Sequence, residues 1–435
     1  MNTRELTKDA KAILLLCGRF GKNDAINGTR PLSLSEYNRL AGWLVACKAR
    51  PADLLSDAAI DLLAGAPAGI DADRAKNLLS RGAAMALAVE KWTNNGIWVI
   101  CRSDAAYPER LKHHLKKQAP PILYGIGEID LVSRGGLAVV GSRNVDNEGE
   151  LFTHKVAEES ARQGIQIVSG GARGVDQIAM LAALEAGGTV LGVLADSLMN
   201  AAVSGKYRRG IREKQLTLIS PYNPDARFNV GNAMARNKYI YALADFALVV
   251  ASEYQKGGTW AGAREELKRE SAKAVFVRDE DSVPDGNEAL KKMGVLPFPK
   301  QPWGKSLISK IQEAVDHRPR SKTEQRSLFD IQISQPDLIA TTVKEEARVY
   351  SEDEITKDSA TYPKEHSEEM IPTSIYEAVI PVILNALKEW KTPKELATEL
   401  NVREGQLDDW LKRASKEGKI EKRNKPVRYR QADKR

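Results

Sequence analysis

Cysteine, histidine and long apolar runs are all scarce in this chain of 435 residues. The three cysteines, Cys17, Cys47 and Cys101, are scattered and form no disulfide framework, which fits a reducing cytoplasm. The five histidines (His113, His114, His154, His317, His366) show no metal-ligand spacing with them, so neither a metal nor another cofactor is expected. No uninterrupted apolar stretch approaches the roughly 20 residues of a membrane span. The N-terminal region carries acids and only a brief apolar run, Ile13 to Cys17, so no signal peptide is expected. Two nucleotide signatures are missing as well. No G-x-G-x-x-G follows the run Leu137 to Val140. Gly136 and Gly141 have P-loop spacing, but Ser142-Arg143 stands where Lys-Ser/Thr is required.

The formal net charge of +7 is modest, but it is unevenly placed. From Lys412 onward eleven bases oppose three acids, whereas from Asp337 to Glu369 ten acids oppose four bases. Such asymmetry points to a nucleic-acid-facing end beside a solvated acidic spacer.

The most informative stretch runs from Leu137 to Asp176. Leu137-Ala138-Val139-Val140 leads into Gly141-Ser142-Arg143, and Ile165-Gln166-Ile167-Val168 leads into Ser169-Gly170-Gly171-Ala172-Arg173-Gly174-Val175-Asp176. Short β-branched strands that run into helices predict a parallel sheet. Ligands of such sheets bind at the carboxyl ends of the strands, where helix N-termini offer backbone N–H groups. A third strand, Phe246 to Val250, precedes Gly257-Gly258-Thr259 and a helix from Trp260. The spacing therefore predicts a phosphate site on the N–H groups of Gly141, Gly170, Gly171, Gly257 and Gly258, with Arg143 and Arg173 supplying charge. The alternative for either arginine is a pair with a local acid such as Asp146 or Asp176. Ser142, Ser169 and Thr259 serve equally as phosphate donors or helix caps. Asp176 reads as an acceptor for backbone N–H groups or as an arginine orienter. Lys206, Arg208 and Arg209 read as a basic loop able to follow a nucleic-acid backbone.

The length suggests two to four domains. Residues 1–95 read as a helical module, with helices over Leu6 to Cys17, from Ser35-Glu36 through Ala49, and over Asp71 to Trp92. Residues 97–315 alternate strand and helix, with strands near 97–101, 137–140, 165–169, 189–194, 216–219, 246–251 and 274–278. Residues 316–372 read as a charged flexible linker, within which Ser327 to Ile333 is a weakly packed segment or a docking motif. Residues 373–435 read as a winged helix: a helix Ile375 to Trp390, a second started by Thr392-Pro393, a third from Glu404 to Glu417 closed by Gly418, and a hairpin. Its basic wing comprises Lys422, Arg423, Lys425, Arg428 and Arg430. The module serves duplex DNA, through Gln406 to Arg413 and the wing, or a protein partner.

Tyr107-Pro108, Pro120-Pro121-Ile122-Leu123-Tyr124, Val140-Gly141-Ser142-Arg143 and the turn Ser169 to Asp176 together resemble the DNA-processing protein A (DprA/Smf) family. Arg236-Asn237-Lys238 is similar to that family's Arg-Asn-Arg segment and brings Arg236 and Lys238 into the candidate site. The resemblance covers roughly residues 100–300. It implies an extended Rossmann-like domain that is not an enzyme, binds single-stranded DNA, dimerises, and passes DNA to a RecA-type recombinase in recombination or natural transformation. It extends loosely to the helical N-terminal module and to the winged helix. Met180, Pro221, Lys238 and the segment Gly258 to Gly262 depart from the family pattern. Two other readings stay open. One is an enzyme resembling the "lonely guy" phosphoribohydrolases, whose catalytic glutamate would have to be Glu265 or Glu266. The other is a sensor of a nucleotide-derived signal, for example in phage defence.

Overall fold

The computed structural model describes residues 5–20, 30–56, 59–66, 69–269, 271–304, 306–317, 375–400, 404–423 and 427–432. The linker expected at 316–372 lies outside them except for its first two positions, and so do Ser327 to Ile333 and Lys425. The chain divides into two compact units, Met1–Asp316 and His317–Arg435.

The larger unit is built on a nine-stranded sheet of order β1-β2-β6-β5-β4-β3-β7-β8-β9. Its strands are β1 (Trp98–Cys101), β2 (Ile122–Ile126), β3 (Leu137–Val140), β4 (Ile167–Ser169), β5 (Val190–Val193), β6 (Leu216–Ser220), β7 (Phe246–Val249), β8 (Ala274–Val277) and β9 (Leu296–Pro297). Strands β3 to β9 are mutually parallel. The expected parallel sheet is therefore present, and it is extended by two antiparallel strands, with β2 pairing β6 and β1 pairing β2. The chain winds outward from β3 through β4 and β5 to β6, then crosses back to place β7 on β3's other side. That reversal is a topological switch point, the place at the carboxyl ends of the strands where ligands of such sheets commonly bind.

Strand burial explains the long apolar runs. Every residue of β3, β4, β5 and β6 is buried, because both faces are covered. Leu137, Val139, Ile167 and Val190 point into one core with helices α1 (Lys8–Cys17), α5 (Gly82–Asn94), α7 (Asn147–Arg162) and α8 (Val175–Glu185). Ala138, Val140, Val168 and Leu191 point into the other, with α6 (Glu109–Leu115), α11 (Val230–Leu243) and α12 (Gly257–Leu267). The two-residue alternation thus feeds two cores from one strand.

The N-terminal helices belong to the first of these cores. Ala10, Ile13, Leu14 and Trp92 pack with the sheet, and the Trp92 ring meets Tyr124 of β2 edge-on at 5.0 Å. A cut near residue 96 would therefore divide a shared core. A satellite cluster around Leu16, Leu40, Leu54 and Leu78 completes the helical end. Helix α2 (Leu34–Ala46) starts at a capping box between Ser33 and Glu36. Glu36 also takes the Arg74 guanidinium at 2.7 Å, and that bond, aided by the bonds from Ser33, holds its carboxyl well below the usual range.

The single helix expected over Asp71 to Trp92 is two helices, α4 (Ala72–Leu79) and α5. The chain breaks at Ser80-Arg81, where the Arg81 guanidinium binds the carbonyls of Leu15 and Gly18 and lies over the Phe20 ring. Anchoring one side chain across three helices outweighs helix propensity at that point.

In the smaller unit, helices span Ile375–Ala386, Pro393–Glu399 and Glu404–Lys416. Thr392 and Glu395 form a capping box with Pro393 at the first position, and Gly418 takes φ +69° after the third helix. Strands β10 (Ile420–Arg423) and β11 (Arg428–Gln431) form an antiparallel hairpin, and Lys391 pairs with Tyr429 along its open edge. Leu396, Leu407, Leu411 and Ile420 are buried. The order is that expected of a winged helix, although the first helix ends at Ala386 rather than Trp390, since the chain must extend to reach Tyr429. No helix among the described residues is long and apolar enough to cross a membrane.

Candidate functional site

The turns after β3, β4 and β7 are bound to one another at the switch point. Ser142 N–H donates to the Ala251 carbonyl at 2.8 Å, and Val175 N–H donates to the Ser142 carbonyl at 3.3 Å. Gly174 takes φ +85°, and a Cβ there would overlap the Ser142 and Arg143 carbonyl oxygens. Glycine is what lets the β4 turn lie against the β3 turn. The sequence had singled out the other glycines of this turn but had given this one no role.

Beneath these turns sits Asp176, in the first turn of α8 and only 5% exposed. Its carboxylate accepts backbone N–H bonds from Gly141, at 3.4 Å, and from Gly170 and Ala172. Arg236 of α11, also 5% exposed, faces it at 3.8 Å and donates from Nη1 to the Val193 carbonyl at 2.7 Å. A Cβ at Gly170 would overlap both Arg236 Nη1 and Asp176 Oδ2. Burial pushes the Asp176 carboxyl upward, and the Arg236 charge and the three amides oppose that shift. Burial likewise lowers Arg236, with Asp176 opposing.

This arrangement corrects the phosphate cradle read from the sequence. The Gly141 and Gly170 amides point at the chain's own carboxylate, so an internal anion already fills that nest. Arg236 lies under the turn as the partner of Asp176, out of reach of a surface ligand. Lys238 is about 200° further round the same helix. It lies near Glu265 and over the Tyr239 ring, so it does not join the site. Ser169 is fully buried and donates its hydroxyl to the Val139 carbonyl at 2.6 Å, so it neither caps a helix nor meets solvent. Helix α7 is closed by its own N-cap, since Asp146 accepts from Gly149 N–H at 2.7 Å and pairs with the buried Arg278.

What faces solvent is different in kind. Arg143 is exposed, and its guanidinium lies 5.4 Å from the ring centre of Phe228, a residue 52% exposed. Arg173 is exposed and borders a groove of about 260 Å³ between α7 and α8, beside Glu150, His154 and Gln177. Neither arginine has an acidic partner within ion-pair distance among the described residues; Asp146 and Asp176 are each taken by another arginine. Ser142 is half-buried and accepts from Asn144 N–H within its own turn.

Gly171, at φ +68°, approaches Leu194 and the Tyr207 hydroxyl. Tyr207 and Lys206 lie on a helix, Gly205–Arg212, so the expected basic loop is helical. Lys206 is exposed at its start, while Arg209 is tied to Glu213 at 2.9 Å. Gly257, Gly258 and Thr259 form the first turn of α12, whose N-cap, Lys256, makes no side-chain cap. Gly257 is exposed and Gly258 and Thr259 are half-buried, with Tyr254 (51% exposed) packed against Trp260 alongside. Phe228 and Tyr254 escaped notice in the sequence because an aromatic in a loop carries no periodicity to mark it as exposed.

The carboxylates of the enzyme reading lie elsewhere. Glu266 is buried, bonded to His114 Nε2 at 3.0 Å and to Lys273 N–H at 2.6 Å, and Glu265 pairs with Arg269. Both are at the far end of α12, about 12 Å of helix rise from its N-terminal turn.

Residues 98–294 match the family model described as DNA recombination-mediator protein A. The chain is 28% identical over 187 residues to the DNA processing protein DprA of Bacillus subtilis (strain 168), covering 42% of this chain and 61% of that one. It is 30% identical over 155 residues to DprA of Streptococcus pneumoniae (strain ATCC BAA-255 / R6), covering 35% and 54%. The alignments thus span less than two thirds of these relatives' length. The X-ray structure of DNA processing protein A from Streptococcus pneumoniae superposes with a TM-score of 0.50 at 19% identity, covering 67% of this chain and 94% of that one, a likeness of fold.

Proposed function

We propose that this chain, a divergent member of the DNA-processing protein A (DprA/Smf) family, binds single-stranded DNA across the carboxyl ends of β3, β4 and β7 and performs no chemistry on it. The observation that carries this reading is Arg143 held over the exposed Phe228 ring with no acidic partner within ion-pair distance among the described residues. A single guanidinium beside an aromatic that still keeps half its surface exposed suits a strand that offers both phosphates and unstacked bases. Arg173, Lys206 and the amides of Gly171, Gly257 and Gly258 supply further phosphate contacts, with the Thr259 and Ser142 hydroxyls nearby. Non-enzymatic action is favoured because the buried carboxylate next to the site, Asp176, is committed to Arg236, while Glu265 and Glu266 lie at the far end of α12, paired with Arg269 and His114.

The C-terminal unit, residues 373–435, reads as a winged helix from the order of its elements. Residues 97–315 are the DNA-binding domain and 1–95 a helical module built onto its core. Dimerisation, cytoplasmic location and transfer of DNA to a RecA-type recombinase are proposed from family membership alone.

The test is a binding titration of residues 1–316, which keep the shared core intact, against single-stranded and duplex DNA at several salt concentrations. Tighter binding of the single strand, weakening steeply with salt, is expected. Equal or weaker binding of the single strand overturns the reading.

A further inference from the structure

We propose that the outer face of the C-terminal hairpin, and not the third helix of that unit, binds the phosphate backbone of duplex DNA. The inference rests on the winged-helix reading of the unit and goes beyond it by choosing one face and its residues. Alternation along the strands sorts the wing into two faces. Ile420, Lys422 and Tyr429 share the inner one, where Ile420 and Tyr429 are buried and the Lys422 ammonium lies over the Tyr429 ring. Lys422 is thereby separated from the other basic residues of the wing.

The outer face carries Glu421, Arg423, Arg428 and Arg430. Because Lys391 pairs with Tyr429, Trp390 falls beside Arg430 on that same outer face. Its ring is covered by two guanidinium groups, Arg423 at 4.2 Å and Arg430 at 5.2 Å from the centre. Stacking on an aromatic orders a guanidinium without consuming its N–H donors, so the exposed Arg423 keeps its donors for phosphate, while Arg430 is shared with Glu421. Glu421, 3.4 Å from Arg430, is the acid that the hairpin itself contributes to this face, and Arg423 and Arg428 are exposed.

Charge separates this face from the third helix, Glu404–Lys416. That helix offers Lys412, Arg413 and Lys416 against Glu404, Asp408 and Asp409 and carries no net charge. Arg413 is moreover tied to Glu417 at 2.9 Å. The occupied Trp390 ring also decides between kinds of DNA. With guanidinium groups already over it, the platform has charge to offer and little bare ring, which suits a backbone whose bases stay paired.

The experiment uses the full chain, with a labelled hairpin duplex and labelled oligothymidine titrated in parallel at several salt concentrations. Arg423→Ala with Arg428→Ala should weaken duplex binding roughly tenfold at low salt and reduce the log–log salt slope by about two, one per lost phosphate contact. Lys412→Ala with Lys416→Ala should leave duplex binding within about twofold, as substitutions away from contacts do. Arg423→Lys with Arg428→Lys, which preserves charge but loses both guanidinium forks, that of Arg423 stacked on Trp390, should fall between the first pair and wild type. Unchanged duplex binding in the arginine-to-alanine variant, or an equal or larger loss in the lysine variant, overturns the proposal. Oligothymidine binding should be unaffected by all three pairs. Its failure in the wild-type chain would count against the single-strand reading and leave the duplex result standing.

Discussion

Arg236 and Asp176 meet at 3.8 Å under the Gly170 turn, both nearly excluded from solvent, and so join α11 to the first turn of α8 across the sheet's switch point. Removing one partner leaves the other charge buried and uncompensated, which costs about 3–5 kcal/mol. Arg236→Ala should therefore lower the larger unit's unfolding free energy, read from its urea transition, by that much. A loss under about 1 kcal/mol would place Arg236 among ordinary surface residues instead.

Gly170 and Gly257 offer a matched pair of substitutions. At Gly170 a methyl group runs into the Arg236–Asp176 pair, whereas at Gly257 it meets open space and only the positive φ of +75° opposes it. Gly170→Ala should cost at least 2 kcal/mol, through strain in the buried pair, and Gly257→Ala about 1 kcal/mol. Thermal melting of the two variants side by side checks the order.

Arg143→Ala should weaken single-stranded DNA binding for all sequences alike and reduce the salt slope by about 0.7, the value for one contact on a single strand. Phe228→Ala should weaken it by about 1–3 kcal/mol with the salt slope unchanged, because stacking releases no counterion. Both residues are exposed, so melting temperatures should stay close to wild type. Salt-dependent anisotropy titrations separate the two effects.

The N-terminal helices should confer acid sensitivity through Glu36. Its carboxyl is held down by Arg74 and Ser33, so the native state binds its proton less readily than the unfolded chain, where Glu titrates near 4.3. The stabilisation is present above about pH 4.3 and is lost as pH falls toward the lower folded value. Glu36→Gln should be less stable at neutral pH, and its unfolding free energy should decline less steeply below about pH 4. Parallel slopes for the two proteins in urea titrations would contradict this.

Strands β3 to β8 were legible because each is a short β-branched run closed by a polar turn, and Thr392-Pro393 with Gly418 marked helix ends in the smaller unit. Strand β2 was not read as a strand, since Pro120-Pro121 drew attention to the segment as a motif and its antiparallel pairing with β6 leaves no local trace. The turns of the candidate site were located, but the contents of its amide nest were not. Periodicity states that Arg236 lies on a helix, not that it faces inward, and a serine at a strand end reads the same whether its hydroxyl meets solvent or, as at Ser169, a neighbouring carbonyl. The Arg81 break likewise depends on carbonyls more than sixty residues away in sequence. These are tertiary facts, and local sequence does not encode them.

A nest filled by its own carboxylate changes what the site can discriminate. A free mononucleotide gains most from one deep pocket that grips a single terminal phosphate, and at the β3 and β4 turns that grip is spent on Asp176. What remains is a set of separate weak contacts spread over the ends of several strands. Each adds little alone, but a polymer that engages one is held at high effective concentration for the next. If the strand ends bind nucleic acid as proposed, this geometry selects by valency: long strands accumulate affinity while small nucleotides do not compete.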